Sequence, residues 1–116
     1  KKNIKIWGDG TPKRDFLFID DCIDAIYKLS SNEIEGEFNL SGKNSTAISE
    51  LVETIKDVTG FEGEINYDTQ LPNGQMQRIM SCEKMDKIGW EPKVSLTEGI
   101  KITVKWFLDN YEKVRK

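Results

Sequence analysis

The stretch that decides the fold is Trp7–Asp21, W-G-D-G-T-P-K-R-D-F-L-F-I-D-D. It opens on a tight turn, Gly8-Asp9-Gly10-Thr11-Pro12, whose glycines and proline punctuate the backbone. Phe16-Leu17-Phe18-Ile19 reads as a short strand or buried segment. Asp20 and Asp21 stand where a helix begins, and carboxylates suit a helix N-terminus. Arg14 is thereby held between a rigid turn and an apolar run. An arginine held in that way presents its planar fork to a phosphate or carboxylate with little conformational entropy left to lose.

Outward from this stretch the chain reads as short strands and helices in mixed order. Upstream, Ile4–Trp7 is a strand. The apolar run is taken as a strand over Asp15–Ile19. A helix is expected over Asp21–Ser30, with Ile23, Ile26, Tyr27 and Leu29 on its apolar face. After a polar connection, Glu37–Leu40 reads as a strand that ends at Gly42. The spacing of Ile48, Leu51, Val52, Ile55 and Val58 predicts a helix over Ile48–Thr59, stopped by Gly60. Its best-fitting cap position is Ala47, which has no capping side chain. Glu64–Tyr67 is a further strand, and the polar loop 68–77 is long enough to bind a ligand. Ser95-Leu96-Thr97-Glu98 is a capping box that starts a helix to about Lys113. Leu96, Ile100, Val104, Phe107, Leu108 and Tyr111 form the face expected to be buried. The expected fold class is α+β: a small lobe of short strands and three to four helices, with no complete Rossmann sheet.

Composition narrows the function classes. The 116 residues make one domain at most, able to bury about two-thirds of the surface of the unfolded chain. The formal charge is −3 with interleaved signs, which speaks against nucleic acid as a partner. No apolar run approaches the roughly 18 residues that would span a bilayer, so no membrane partner is expected. Histidine is absent, which removes histidine bases, Ser-His-Asp triads and histidine metal sites. Cys22 and Cys82 have no metal-ligand spacing; Cys22 reads as a small core residue, and the pair fits a reducing cytoplasm. Trp90 and Trp106 read as packing residues, and Asp20-Asp21 as a helix cap rather than a metal site. No metal site and no catalytic residue are assigned.

Five segments in register carry a family resemblance. Beside W-G-D-G-T-P-K-R-D-F-L-F-I-D-D stand Asn39-Leu40-Ser41-Gly42, Ala47-Ile48-Ser49-Glu50-Leu51, Leu71-Pro72-Asn73-Gly74, and Ile88-Gly89-Trp90-Glu91-Pro92 followed by Ser95–Ile100. Together they resemble the C-terminal substrate-binding part of the extended short-chain dehydrogenases/reductases, the NAD-dependent nucleotide-sugar epimerases and dehydratases. Within that superfamily they are most similar to the GDP-L-fucose synthases. The resemblance implies that residues 1–116 are a fragment of a longer enzyme, in keeping with an opening on Lys1-Lys2-Asn3 without methionine.

The same resemblance implies the ligand, a nucleotide-diphosphate sugar. Arg14 is the first candidate, contacting the diphosphate; the alternative is a surface pair with Asp15, Asp20 or Asp21. Trp7 matches the family's tryptophan that touches bound nucleotide-sugar, against the alternative of a core tryptophan. Asn73 stands where the family more often has a ligand-contacting aspartate, although Asn-Gly is also a plain turn dipeptide. Arg78 would be a second cation near the diphosphate. Leu71, Met76 and Gln77 depart from the family's loop.

Catalytic parts are missing from these residues. Gly8-x-Gly10 is the only GxG, and a tight turn explains it better than a dinucleotide fingerprint. Four residues past Tyr27, Tyr67 and Tyr111 lie Ser31, Leu71 and Arg115, so the family's Tyr-x-x-x-Lys pair is absent. NADP or NAD would be bound by the N-terminal Rossmann half of the intact enzyme, which is expected to be a homodimer. This chain alone is expected to be inactive. In the intact GDP-L-fucose synthase, the resemblance implies epimerisation of GDP-4-keto-6-deoxymannose at two carbons and then reduction by NADPH. Three alternatives stay open: another NAD-dependent sugar epimerase/dehydratase, a non-catalytic nucleotide-sugar binding module, and a structural or interaction fragment.

Overall fold

The computed structural model describes residues 2–77 and 80–114. Two small sheets and four α-helices make up the described chain. Strand β1 (Ile4–Trp7) pairs in parallel with β4 (Ile65–Asp68), in the register Ile4↔Ile65 to Trp7↔Asp68. Strand β2 (Lys13–Arg14) pairs antiparallel with β3 (Thr46–Ala47). The helices are α1 (Ile19–Ser31), α2 (Ile48–Thr59), α3 (Glu83–Lys87) and α4 (Leu96–Asp109), and a 3₁₀ turn follows over Tyr111–Lys113. The expected α+β class with no complete Rossmann sheet is what the chain adopts.

The parallel β1–β4 pair needs a crossover, and α2 provides it. Alternation along the strands places Ile4, Ile6 and Ile65 on one face, where they line an apolar cleft with Val52, Ile55 and Phe61. Helix α2 has the bounds that its periodicity predicts. Gly60 closes it in the left-handed region (φ 68°), with its amide donating to Lys56 O. Its start explains the weak cap at Ala47. No side chain caps the helix; the N–H groups of Ile48 and Ser49 donate instead to Pro12 O and Gly10 O, each at 2.9 Å. The turn after β1 thus satisfies donors that every helix start leaves open.

Ser95 caps α4 as expected, its hydroxyl accepting from Glu98 N at 3.2 Å. That helix ends at Asp109 rather than Lys113, because the chain tightens into the 3₁₀ turn. Strand β4 lies one residue later than predicted. Two expected strands do not form. Residues 15–18 have no strand partner among the described residues; the Asn44 side chain takes that place, accepting from Phe16 N at 3.0 Å and donating to Phe16 O at 2.6 Å. Glu37–Leu40 is likewise without a strand partner among the described residues. Helix α1 starts at Ile19, two residues early. Asp20 and Asp21 lie in its first turn but make no cap hydrogen bond. Asp21 is buried and accepts from Val94 N at 3.0 Å, tying α1 to the segment before α4.

The core is small. Ala25, Cys82, Met85 and Trp90 form a buried cluster, flanked by Leu17, Leu29, Phe38, Leu40 and Ile88. Trp90 is a packing residue as predicted. Cys22 is only half-buried. A second apolar contact joins α2, α4 and residues 16–18 around a cleft of about 260 Å³, where Gly99 admits the ring of Phe18.

The faces expected to be buried are largely exposed. Ile23, Ile26 and Tyr27 of α1 point to solvent, because α1 packs inward through Asp21 and Ala25. On α4, Leu96, Ile100 and Val104 are half-buried, but Phe107 and Leu108 are exposed, as are Tyr111 in the 3₁₀ turn and Trp106, expected to pack. The Cα radius of gyration is 16.8 Å, against about 13 Å for a compact domain of this length. Periodicity reports that a face is to be covered; it does not report by what.

Candidate functional site

The site grows from the turn after β1. Gly8 N donates to Asp68 O at 2.9 Å, continuing the β1–β4 ladder by one bond. Asp9 folds back on the chain, accepting at Oδ1 from Thr11 N at 3.0 Å and Thr11 Oγ1 at 2.6 Å. These bonds, the hydroxyl first and then the amide, hold the Asp9 carboxyl below the ordinary aspartate range. Asp9 N donates to Asn73 Oδ1 at 2.8 Å, across 64 positions of sequence.

That last bond needs glycine at position 8. Gly8 has φ 82°, and a Cβ there would fall on Asn73 Oδ1 and lie 2.8 Å from Asn73 Cγ. The loop after β4 therefore rests directly on the backbone of the turn.

The loop then runs along β2. Lys13 N donates to Met76 O at 2.7 Å, and Lys13 makes a bridge with Gln77. Between the Asn73 and Met76 attachments the loop runs beside Arg14 at Gly74. A Cβ on Gly74 would be 3.8 Å from Arg14 Nη2, an ordinary van der Waals distance. Arg14 Nη1 donates to Lys13 O at 2.7 Å, and among the described residues no carboxylate is paired with the guanidinium. Two of the three carboxylates that could have taken it are engaged elsewhere, and the third, Asp20, is exposed on α1. Asp15 accepts from Gly42 N at 2.9 Å and Asn44 N at 3.3 Å, and Asp21 accepts from Val94 N. A guanidinium without a counter-ion, held at the backbone of a loop, has hydrogen-bond donors left for an anion.

Trp7 ends β1 opposite Asp68 and is 64 % exposed. Alternation places it on the side of the strand away from Ile6 and α2, which removes the core reading. Lys5, on that same side, pairs with Asp68 at 3.4 Å. The structure thus brings Arg14 and Asn73 to the 68–77 loop, with Trp7 on the strand from which the turn departs. Arg78 lies outside the described residues. The sequence reading missed the second half of the arrangement: Asp9 and Gly8 as the seat for Asn73, and Asp15 as the pin for residues 42–44. An Asp-x-Thr spacing after a glycine signals the Asp9 turn locally, but nothing local points to Asn73.

The Gly8–Gly10 turn does not fit a dinucleotide pyrophosphate. Its amides at Gly8, Asp9 and Thr11 are all used within the protein, and β2 follows where a cradle needs a helix N-terminus. Among the described residues there is no cluster of metal-ligating side chains, and no helix is long and apolar enough to cross a membrane.

Comparison with known proteins agrees with this architecture. Residues 1–41 match the NAD dependent epimerase/dehydratase family. The likeness is to that family, and within it to GDP-L-fucose synthases. A probable GDP-L-fucose synthase 1 of Oryza sativa subsp. japonica is 36 % identical over 114 residues, which cover 97 % of this chain and 35 % of the rice protein. A GDP-L-fucose synthetase from Naegleria fowleri, solved bound to NADP, superposes with a TM-score of 0.86 at 29 % identity, over 98 % of this chain and 37 % of that one. A UDP-glucose 4-epimerase from Thermotoga maritima, solved with UDP-glucose, gives a TM-score of 0.79 at 31 % identity, over 95 % and 36 %. The chain spans about a third of the length of these relatives.

Proposed function

We propose that these 116 residues are the nucleotide-sugar-binding part of an NAD(P)-dependent nucleotide-sugar epimerase/reductase, most like GDP-L-fucose synthase. Arg14 contacts the diphosphate, Trp7 offers its indole face to the sugar or base, and Asn73 belongs to the loop that borders both. Arg78, directly after that loop, adds a second cation. The single observation that carries this reading is the guanidinium of Arg14, unpaired with any described carboxylate and beside Gly74 of a loop latched to the turn after Trp7.

In this reading residues 1–116 form the C-terminal substrate-binding domain. The N-terminal Rossmann half of the enzyme supplies NADP or NAD and the catalytic groups, and residues 1–116 alone turn nothing over. The exposed stripe Ile23, Ile26 and Tyr27 on α1 and the expanded radius support a chain that packs against further protein. The intact enzyme acts in the cytoplasm as a homodimer on a GDP-sugar. The structural neighbour solved with UDP-glucose supports the sugar-nucleotide class more firmly than the base.

Isothermal calorimetry with GDP, UDP and their sugars tests this. A hydrogen bond to a charged group contributes about 1.5–3 kcal/mol, so Arg14→Ala is expected to weaken diphosphate binding by roughly 10- to 150-fold. Arg14→Lys keeps the charge but loses the planar fork, and falls between. Equal affinity in Arg14→Ala and the parent chain would overturn the assignment.

A further inference from the structure

The Asn73 side chain lies in the site proposed above but is turned toward the protein. Its Oδ1 accepts from Asp9 N at 2.8 Å and occupies the space a Cβ on Gly8 would need. Its carboxamide also favours the ionised form of the Asp9 carboxylate, after the larger contributions of Thr11. We infer that Asn73 is a positioning residue: it latches the 68–77 loop to the Gly8–Asp9 turn and so sets where that loop lies beside Arg14, without contacting the ligand itself. The inference rests on the nucleotide-sugar reading for what the site is for, and on geometry alone for the latch.

The loop is attached at few points. At its start Leu71 N donates to Asp68 O at 3.1 Å, and near its end Met76 O accepts from Lys13 N at 2.7 Å. Asn73 is the side-chain attachment between them, and a Cβ added to Gly74, the next residue, would lie 3.8 Å from Arg14 Nη2. Without Asn73 the loop backbone beside the guanidinium is tied down only at its two ends. The turn itself stays in place, because Gly10 O and Pro12 O accept from the first amides of α2. Loss of the latch therefore frees the loop and not the turn.

The chemistry also explains an amide rather than a carboxylate at position 73. An aspartate would still accept from Asp9 N, but it would set a second carboxylate beside that of Asp9. Asparagine offers an acceptor to the Asp9 amide without placing a second charge at the turn. Exchanging the two side-chain types restores a single charge: in Asp9→Asn/Asn73→Asp, the amide oxygen at 9 still accepts from Thr11 N, and the carboxylate at 73 accepts from the backbone N–H of residue 9 with no second carboxylate beside it.

The test measures amide hydrogen exchange by NMR in the ligand-free chain, with GDP calorimetry beside it. Loss of one neutral hydrogen bond in Asn73→Ala is expected to raise exchange at Asp9 N roughly three- to tenfold, with faster exchange also at residues 74–76. Asn73→Asp raises it as well, and Asp9→Asn/Asn73→Asp returns it to the parental rate; GDP affinity follows the same order. The latch is refuted if Asn73→Ala leaves exchange at Asp9 unchanged, or if the double variant shows no recovery over Asn73→Asp. Recovery of exchange without recovery of GDP affinity would make Asn73 a ligand contact and overturn its role as a positioning residue. A parent chain that binds no GDP sinks the nucleotide reading, while the exchange rates still decide the latch. Unchanged circular dichroism in each variant separates loop release from unfolding.

Discussion

Gly8→Ala and Gly60→Ala should destabilise the chain by different amounts, although both glycines sit in the left-handed region. The angles are φ 82° and φ 68°. A non-glycine residue held there costs about 1–2 kcal/mol. At Gly60 that is the whole effect, because nothing lies within 4 Å of the added Cβ. At Gly8 the methyl would fall on Asn73 Oδ1, with Asn73 Cα at 3.0 Å. The Asn73 side chain has to swing away from the turn, and its Cα has to give by a few tenths of an ångström. The Asp9–Asn73 bond is then lost, about 0.5–1.5 kcal/mol more. Gly8→Ala should therefore cost about 1.5–3.5 kcal/mol against about 1–2 kcal/mol for Gly60→Ala. Urea denaturation followed by the emission of buried Trp90 reads the difference as a shift in midpoint at constant slope. For a chain near this size each kcal/mol also lowers the melting temperature by about 4–8 °C. Equal losses in the two variants would mean that Asn73 does not rest on the turn, and the geometry argued for the site would be wrong.

Two further outcomes follow from single contacts. Asp21→Ala removes a buried carboxylate that accepts from Val94 N, and should cost about 1.5–3 kcal/mol in urea denaturation, whereas Asp20→Ala at an exposed position should be near neutral; similar losses for both would show that α1 is not tied to residue 94. Asp9 should titrate below the ordinary aspartate value in carbon-detected NMR, and Thr11→Val, which deletes the leading cause, should move its midpoint up. Because the folded value is depressed, the stabilisation by Asp9 is present above the unfolded-state value and is lost as pH falls through the folded one. A midpoint that Thr11→Val leaves unchanged would remove the Thr11 hydroxyl as the cause.

Much of the site is legible in local sequence, and the part that is not has a common reason. The Gly8–Pro12 turn, Arg14 after it and Trp7 before it are neighbours in the chain, so residue type and spacing place them. The partner of Asp9 N is 64 residues away, and no local pattern marks it. The same holds for Asp15, whose carboxylate reads as a candidate partner for Arg14 but serves the amides of Gly42 and Asn44.

By itself the sequence determined the elements whose signals are carried within a few residues. Helix α2 follows from one apolar period and a glycine stop, and the start of α4 from Ser95 and Glu98. Only the tertiary structure decided what depends on a partner. Residues 15–18 and 37–40 have strand-forming side chains, yet a strand exists only where another backbone offers its amides and carbonyls. The apolar stripes of α1 and α4 mark surfaces suited to burial, but burial requires something opposite, and within this chain Ile23, Ile26 and Trp106 face water. Hydrogen bonds and packing are properties of pairs, and a linear chain states only one member of each.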